Sequence, residues 1–163
     1  MYRTLADFRI HFQEELVDTL KVLRAIPESA ATQAIGPRHK DLRGLGWHLV
    51  EAMVSLPGAI GLVVPAPGAD APATVAEVAA AYEATGRALL QALEAWTDAD
   101  LLKEDLLFGQ LTWKRGYTLQ ALEMHQAHHR GQMTVLLRQA GLRVPEFYGP
   151  TLELEEALAA GRN

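Results

Sequence analysis

The chain has 163 residues, 49% hydrophobic and 21% charged, the balance of a globular protein and not of a disordered one. Its 20 acidic side chains outnumber 15 basic ones, and a net charge of -5 without any basic run argues against a nucleic-acid backbone or an anionic membrane as main partner. Cysteine is absent, which excludes a disulfide framework and any thiolate ligand or nucleophile from the chain itself, and fits a reducing cytoplasm.

The opening residues carry Asp7 where a signal peptide needs an apolar stretch. The most apolar run, Ala59 to Val64, sits between Pro57 and Pro65 and is too short to span a bilayer. A soluble, cytoplasmic protein with a single domain over residues 1–163 is expected.

Helical periodicity marks four segments. In the first, Thr4 caps the start and Asp7 favours the amide-rich end. Leu5, Phe8, Phe12, Leu16, Leu20 and Leu23 fall on one face, and Pro27 stops the helix because it cannot donate the helical hydrogen bond. The second begins at Asp41, with Leu42, Leu45, Leu49, Ala52 and Leu56 as its inner stripe and Pro57-Gly58 as its end. Gly44 and Gly46 weaken it by about 1 kcal/mol each relative to alanine, a cost that close helix packing would explain.

A Pro/Gly-rich connection from Pro57 to Ala73 follows. Connections in bundles are usually short, so this length predicts a crossover to the far side or a loop that covers a site. The third helix opens with the capping-box pattern Thr74-Val75-Ala76-Glu77 and carries Val78, Tyr82, Leu89, Leu93 and Trp96 inward. Periodicity fades from Thr97 to Tyr117, where Gly109 and Gly116 punctuate the chain and no alternation is strong enough to name a sheet. The fourth helix runs from about Thr118 to Ala140, with Leu119, Leu122, Met133, Leu136 and Leu137 inward and Gly141 as the stop. The tail holds an acidic helix around Leu152 to Ala160. The fold expected is all-α: a four-helix bundle with one long connection.

Of six histidines, three crowd the fourth helix. His125 and His129 are one turn apart, with Cβ atoms about 5–6 Å from each other, so both imidazoles can reach one ion. That pair alone is a weak motif, since two core-edge histidines bonded to neighbours have the same spacing. His48, mid-way along the second helix on its inner side, adds a third imidazole and needs a polar partner there. Three histidines leave a tetrahedral ion one open position, the pattern of catalytic and not of structural sites. Imidazole suits several divalent metals, with zinc first and nickel or iron as alternatives. His128 is rotated towards solvent or a subunit interface, and His11 and His39 are read as surface or helix-end residues. Glu51, three residues after His48, is the candidate general base or ligand-orienting carboxylate, against the reading of a solvated helix side chain. Gln132 is similarly placed after His129, and Arg130 is expected to anchor a carboxylate or a helix end.

Other chemistries find no residues. His-Glu-x-x-His is absent, neither Ser29 nor Ser55 has a Gly-x-Ser-x-Gly setting, and no phosphate-binding loop occurs. Gly44-Leu45-Gly46 lacks the third glycine of a dinucleotide fingerprint, and the Glu-x-x-His pairs of di-iron bundles are missing.

The stretch His125-Gln126-Ala127-His128-His129-Arg130-Gly131-Gln132 closely resembles the signature of the DinB/YfiT-like metalloenzyme family, part of the DinB superfamily. So do Leu137-Arg138-Gln139-Ala140-Gly141, Pro145 and Tyr148-Gly149-Pro150, while His48 matches the family's first histidine. The resemblance implies a homodimeric four-helix bundle that binds one divalent ion through His48, His125 and His129. Its relatives include S-transferases and isomerases that use the low-molecular-weight thiols bacillithiol, mycothiol or glutathione. The family name records DNA-damage induction.

Two functions are therefore expected. One is a metal-dependent enzyme acting on a small molecule, either a thiol-dependent S-transferase or a hydrolase. A thiol would have to come from a cofactor, because the chain has no cysteine. The other is a non-catalytic, metal-binding stress-response protein whose ion pins its helices together.

Overall fold

A computed structural model describes residues 1–68 and 70–161. Ala69, inside the expected connection, and residues 162–163, at the end of the expected domain, lie outside them. Four helices form the bundle: α1 (Leu5–Arg24), α2 (Leu42–Gly58), α3 (Val75–Ala92) and α4 (Arg115–Gln139). Between α3 and α4 lies a hairpin of β1 (Glu104–Leu107) and β2 (Leu111–Lys114), and α5 (Leu152–Ala160) follows α4. No helix among the described residues is long and apolar enough to cross a membrane.

The caps hold as the sequence predicts. Thr4 accepts from the Asp7 amide, Asp41 from that of Gly44, and Thr74 and Glu77 close a full capping box. The predicted α1 stripe is buried throughout, as are the inward residues of α4. The helix α2 runs through Pro57 and ends at Gly58, with Pro57 buried in its last turn. The regular part of α3 ends at Ala92, so Leu93 packs from a following 3-10 turn and Trp96 from beyond it.

Orientation follows from the contacts. Arg43 near the start of α2 donates to the Ala73 carbonyl beside the start of α3, so these neighbouring helices run parallel. The connection between them carries the chain back along the bundle and buries Ile60, Leu62 and Val64 on the way. It runs from one end of the bundle to the other between neighbouring helices, so it does not cross to the far side as expected. The histidine cavity is bordered instead by the α1–α2 connection, through Ile35, His39 and Lys40.

Gly46 and Gly116 are among the glycines that mark close approaches. A Cβ at Gly46 would lie 2.7 Å from Leu23 Cδ2 and 3.0 Å from Val78 Cγ1, so tight packing of α2 against α1 and α3 explains the missing side chain. Gly44 faces only its own cap: a Cβ there would stand 3.0 Å from Asp41 Oδ1. Gly116 is not a break but lies in the first turn of α4, which starts three residues before the expected Thr118. A Cβ at Gly116 would lie 2.2 Å from the Tyr2 carbonyl oxygen, while the Tyr2 amide donates to the Gly116 carbonyl at 3.2 Å.

The hairpin corrects the expectation of no sheet. Glu104 pairs with Lys114 and Leu107 with Leu111. Phe108 and Gly109 turn the chain at φ 52° and 71°, and the Gln110 amide closes the turn on the Leu107 carbonyl. Strands of four residues are too short to carry a legible alternation.

Inside, a polar network joins α1, α4 and the tail. Arg130, fully buried, donates to Thr19 Oγ1 at 2.9 Å and to Glu15 Oε2 at 2.6 Å. It also donates to the Tyr148 hydroxyl, which in turn donates to Glu15. These bonds, with stacking of the guanidinium on Phe147 and Tyr148, hold Tyr148 at a left-handed φ of 61°. The expectation that Arg130 anchors a carboxylate is met.

Glu123 is a buried acid outside that network, bonded to the Tyr2 hydroxyl. Burial dominates and pushes its carboxyl up to about 7; the Tyr2 hydrogen bond opposes it, and the Glu15 carboxylate adds the smallest, upward push. The unfolded chain loses this proton near 4.5, whereas the folded chain keeps it to about 7. Stability from this group therefore falls as pH rises across that window. Urea unfolding of Glu123→Gln and the parent should show the variant gaining relative stability between pH 5 and pH 8. A pH-independent difference would contradict this.

Candidate metal centre

The innermost stripe of α4 is Leu119, Leu122, Gln126, Arg130, Met133 and Leu137, each essentially without solvent contact. His125 and His129 stand one residue aside, half-buried and facing α2, so they are not on the inner stripe as the sequence suggested. Gln126 supplies the inward amide. It accepts from the Tyr82 hydroxyl at 3.0 Å and donates to the Leu49 carbonyl at 3.1 Å, locking α4 to α2 beside His48. Sequence reading missed Gln126, although its position between Leu122 and Arg130 on the apolar repeat was a signal for a buried polar group.

The antiparallel packing of α2 against α4 brings three rings together. His125 Nε2 lies 3.1 Å from His48 Nε2 and 3.1 Å from His129 Nε2. Ligand-capable nitrogens of all three lie within 4.8 Å of one another. A tetrahedral zinc with bonds of about 2.0–2.1 Å separates its nitrogen ligands by roughly 3.3 Å, so the observed spacing fits the ion.

Hydrogen bonding sets the ring roles. His129 Nδ1 donates to Gln132 Oε1 at 2.7 Å, and the Gln132 amide nitrogen faces His128 Nε2 at 3.1 Å. With its proton on Nδ1, His129 presents a bare lone pair at Nε2. His125 Nε2 faces both other rings and cannot satisfy two lone pairs with one proton. Its buried Nδ1 has no hydrogen-bond partner. Burial, then the neighbouring imidazoles, push His125 down to about 4, and burial also lowers His129. Both are neutral donors at pH 7, the form that a metal requires.

The other predicted residues separate. Glu51 Oε2 stands 3.8 Å from His48 Nδ1, beyond hydrogen-bond range, with half its side chain in solvent. His128 is exposed and meets the His129 ring edge-on. His11 is exposed and bonded to the Tyr2 hydroxyl, and His39 is exposed at the mouth of the cavity. That cavity, about 430 Å³, opens beside His129 and has mainly apolar walls.

Gln132 has a measurable consequence. Partners that orient a ligand imidazole are typically worth about 10–100-fold in metal affinity. Gln132→Ala should weaken zinc binding by roughly that factor in a chelator competition while leaving one site per chain. Unchanged affinity would deny the residue an orienting role.

A family model described as the DinB family matches residues 1–159. The uncharacterized protein YrdA of Bacillus subtilis (strain 168) is 36% identical over 156 residues, which cover 94% of this chain and 93% of YrdA. The crystal structure of a DinB-like protein from Bacillus cereus ATCC 10987 superposes with a TM-score of 0.84 at 34% identity, covering 91% of this chain and all of that one. The structure of a DinB-like protein, YjoA, from Bacillus subtilis is similar in fold alone, with a TM-score of 0.70 at 17% identity over 89% of this chain and 99% of that one.

Proposed function

Because the chain belongs to the DinB family, we propose that His48, His125 and His129 bind one divalent ion, zinc first, and that the protein is a metal-dependent enzyme of small molecules. The observation that carries this reading is the convergence of three imidazole nitrogens beside a cavity. Three protein ligands leave a fourth position for a reactant, whereas a purely structural ion is usually closed by four. When bound, the ion lowers the pKa of water or a thiol so that a nucleophile forms near neutral pH.

The chain's own residues then have distinct tasks. Gln132 holds His129 with its lone pair inward, and Gln126 keeps α2 and α4 at the distance the three rings need. A small movement would bring Glu51 to the His48 ring or to a reactant proton. Thiol transfer, if that is the reaction, takes its thiol from a cofactor, since the chain has no cysteine. Exposed Ile10 and Val17 on the outer face of α1 support a homodimer.

The test is incubation of the zinc-loaded protein with a chloronitrobenzene electrophile and a panel of thiols including glutathione, bacillithiol and mycothiol, alongside activated esters. The expected result is acceleration with one thiol, or ester hydrolysis, that His125→Ala abolishes. No acceleration in any arm would favour the non-catalytic, metal-binding stress-response reading instead.

A further inference from the structure

The cavity beside His129 differs in charge from the clefts along α1. Those are lined by Glu14, Glu15 and Glu123 or by Glu14, Glu15 and Asp18. The histidine cavity has no carboxylate on its wall, in a chain with 20 acidic side chains. Its walls are Ile35, Leu45, Val135 and Leu136, and Lys40 stands at its edge. Lys21 and Lys103 are each paired with an aspartate, at 2.7 and 2.6 Å. Lys40, by contrast, has no carboxylate partner among the described residues, and its charge is close enough to act on the His129 ring. An unpaired ammonium at the mouth of an aliphatic cavity is placed to receive an anion whose body is apolar. The volume, about 430 Å³, lies at the small end of the roughly 300–1,000 Å³ typical of ligand pockets.

We propose that this cavity binds a small aliphatic carboxylate, with the carboxylate on Lys40, the hydrocarbon body against Ile35, Leu45, Val135 and Leu136, and the far end towards His129, the one of the three clustered histidines on the cavity wall. The assignment rests on the metal-enzyme reading only for the reaction at that far end. Recognition of the carboxylate and of the aliphatic body uses Lys40 and the walls, with or without the ion.

Calorimetric titration of butanoate, hexanoate and octanoate, with the matching alcohols and amines, tests it on protein whose zinc content is measured in the same sample and on chelator-treated protein. Each methylene that enters the cavity should tighten binding about fourfold. Carboxylates should bind at least tenfold tighter than the alcohols, and amines should not bind. Lys40→Gln should remove the preference for carboxylate over alcohol, and Val135→Asp, at a half-exposed position, should weaken the carboxylates at least tenfold. All of this should persist after chelation. A flat response to chain length, or a carboxylate preference that survives Lys40→Gln or disappears with the zinc, would overturn the assignment while leaving the metal reading intact. Absence of zinc with the Lys40-dependent pattern present would do the reverse.

Discussion

Arg130→Met should cost about 3–5 kcal/mol of folding stability, the largest single-residue effect expected in this molecule. The guanidinium is wholly buried, and its removal strands the Glu15 carboxylate, whose side chain is only 14% exposed. Thr19 and Tyr148 lose their partner in the same step. Urea unfolding followed by circular dichroism reads the loss directly. The double variant Arg130→Met with Glu15→Leu should recover most of it, because the penalty lies in the unpaired charge and not in the missing contact. A single-variant loss below about 1 kcal/mol would mean that water reaches Glu15 and that the network does not tie α1, α4 and the tail together.

Metal loading should produce the second large effect. An ion that binds only the folded chain adds about 2.7 kcal/mol when its free concentration is a hundred times the dissociation constant. For a chain of this length that corresponds to a rise of roughly 5–10 °C in the melting temperature. Thermal melts with zinc, and after chelator treatment, should differ by that amount in the parent and coincide in His125→Ala. His125 is the sensitive position, since its Nε2 is the nitrogen that faces both other rings. Equal melts of the parent in zinc and in chelator would place the ion's binding energy near zero.

The helices were legible because their signals are local. Thr4, Asp41 and Thr74 cap within three residues, and the α1 stripe repeats at helical spacing over five turns. The hairpin was not legible, because four-residue strands give periodicity too little length. Gly116 read as a break for a related reason. Its purpose is room for the Tyr2 carbonyl, a contact across the whole chain that no local window contains.

The histidines were found by spacing and by resemblance, yet their depth was misjudged. The apolar repeat of α4 passes through Gln126 and Arg130, not through His125 and His129. A buried amide and a buried guanidinium break the apolar pattern where the core needs hydrogen bonds, so the histidines beside them took their place in the reading. Lys40 and Ile35 had no pattern at all. Their role comes from a connection folded against α4, which only the tertiary structure reveals.

The central claim, one ion held by three histidines, is tested most directly by elemental analysis of zinc-equilibrated protein after gel filtration, for the parent and for His48→Ala, His125→Ala and His129→Ala. The account predicts one zinc per chain in the parent and far less in each variant, with circular dichroism spectra unchanged. Full zinc content in all three variants, or none in the parent, would contradict it.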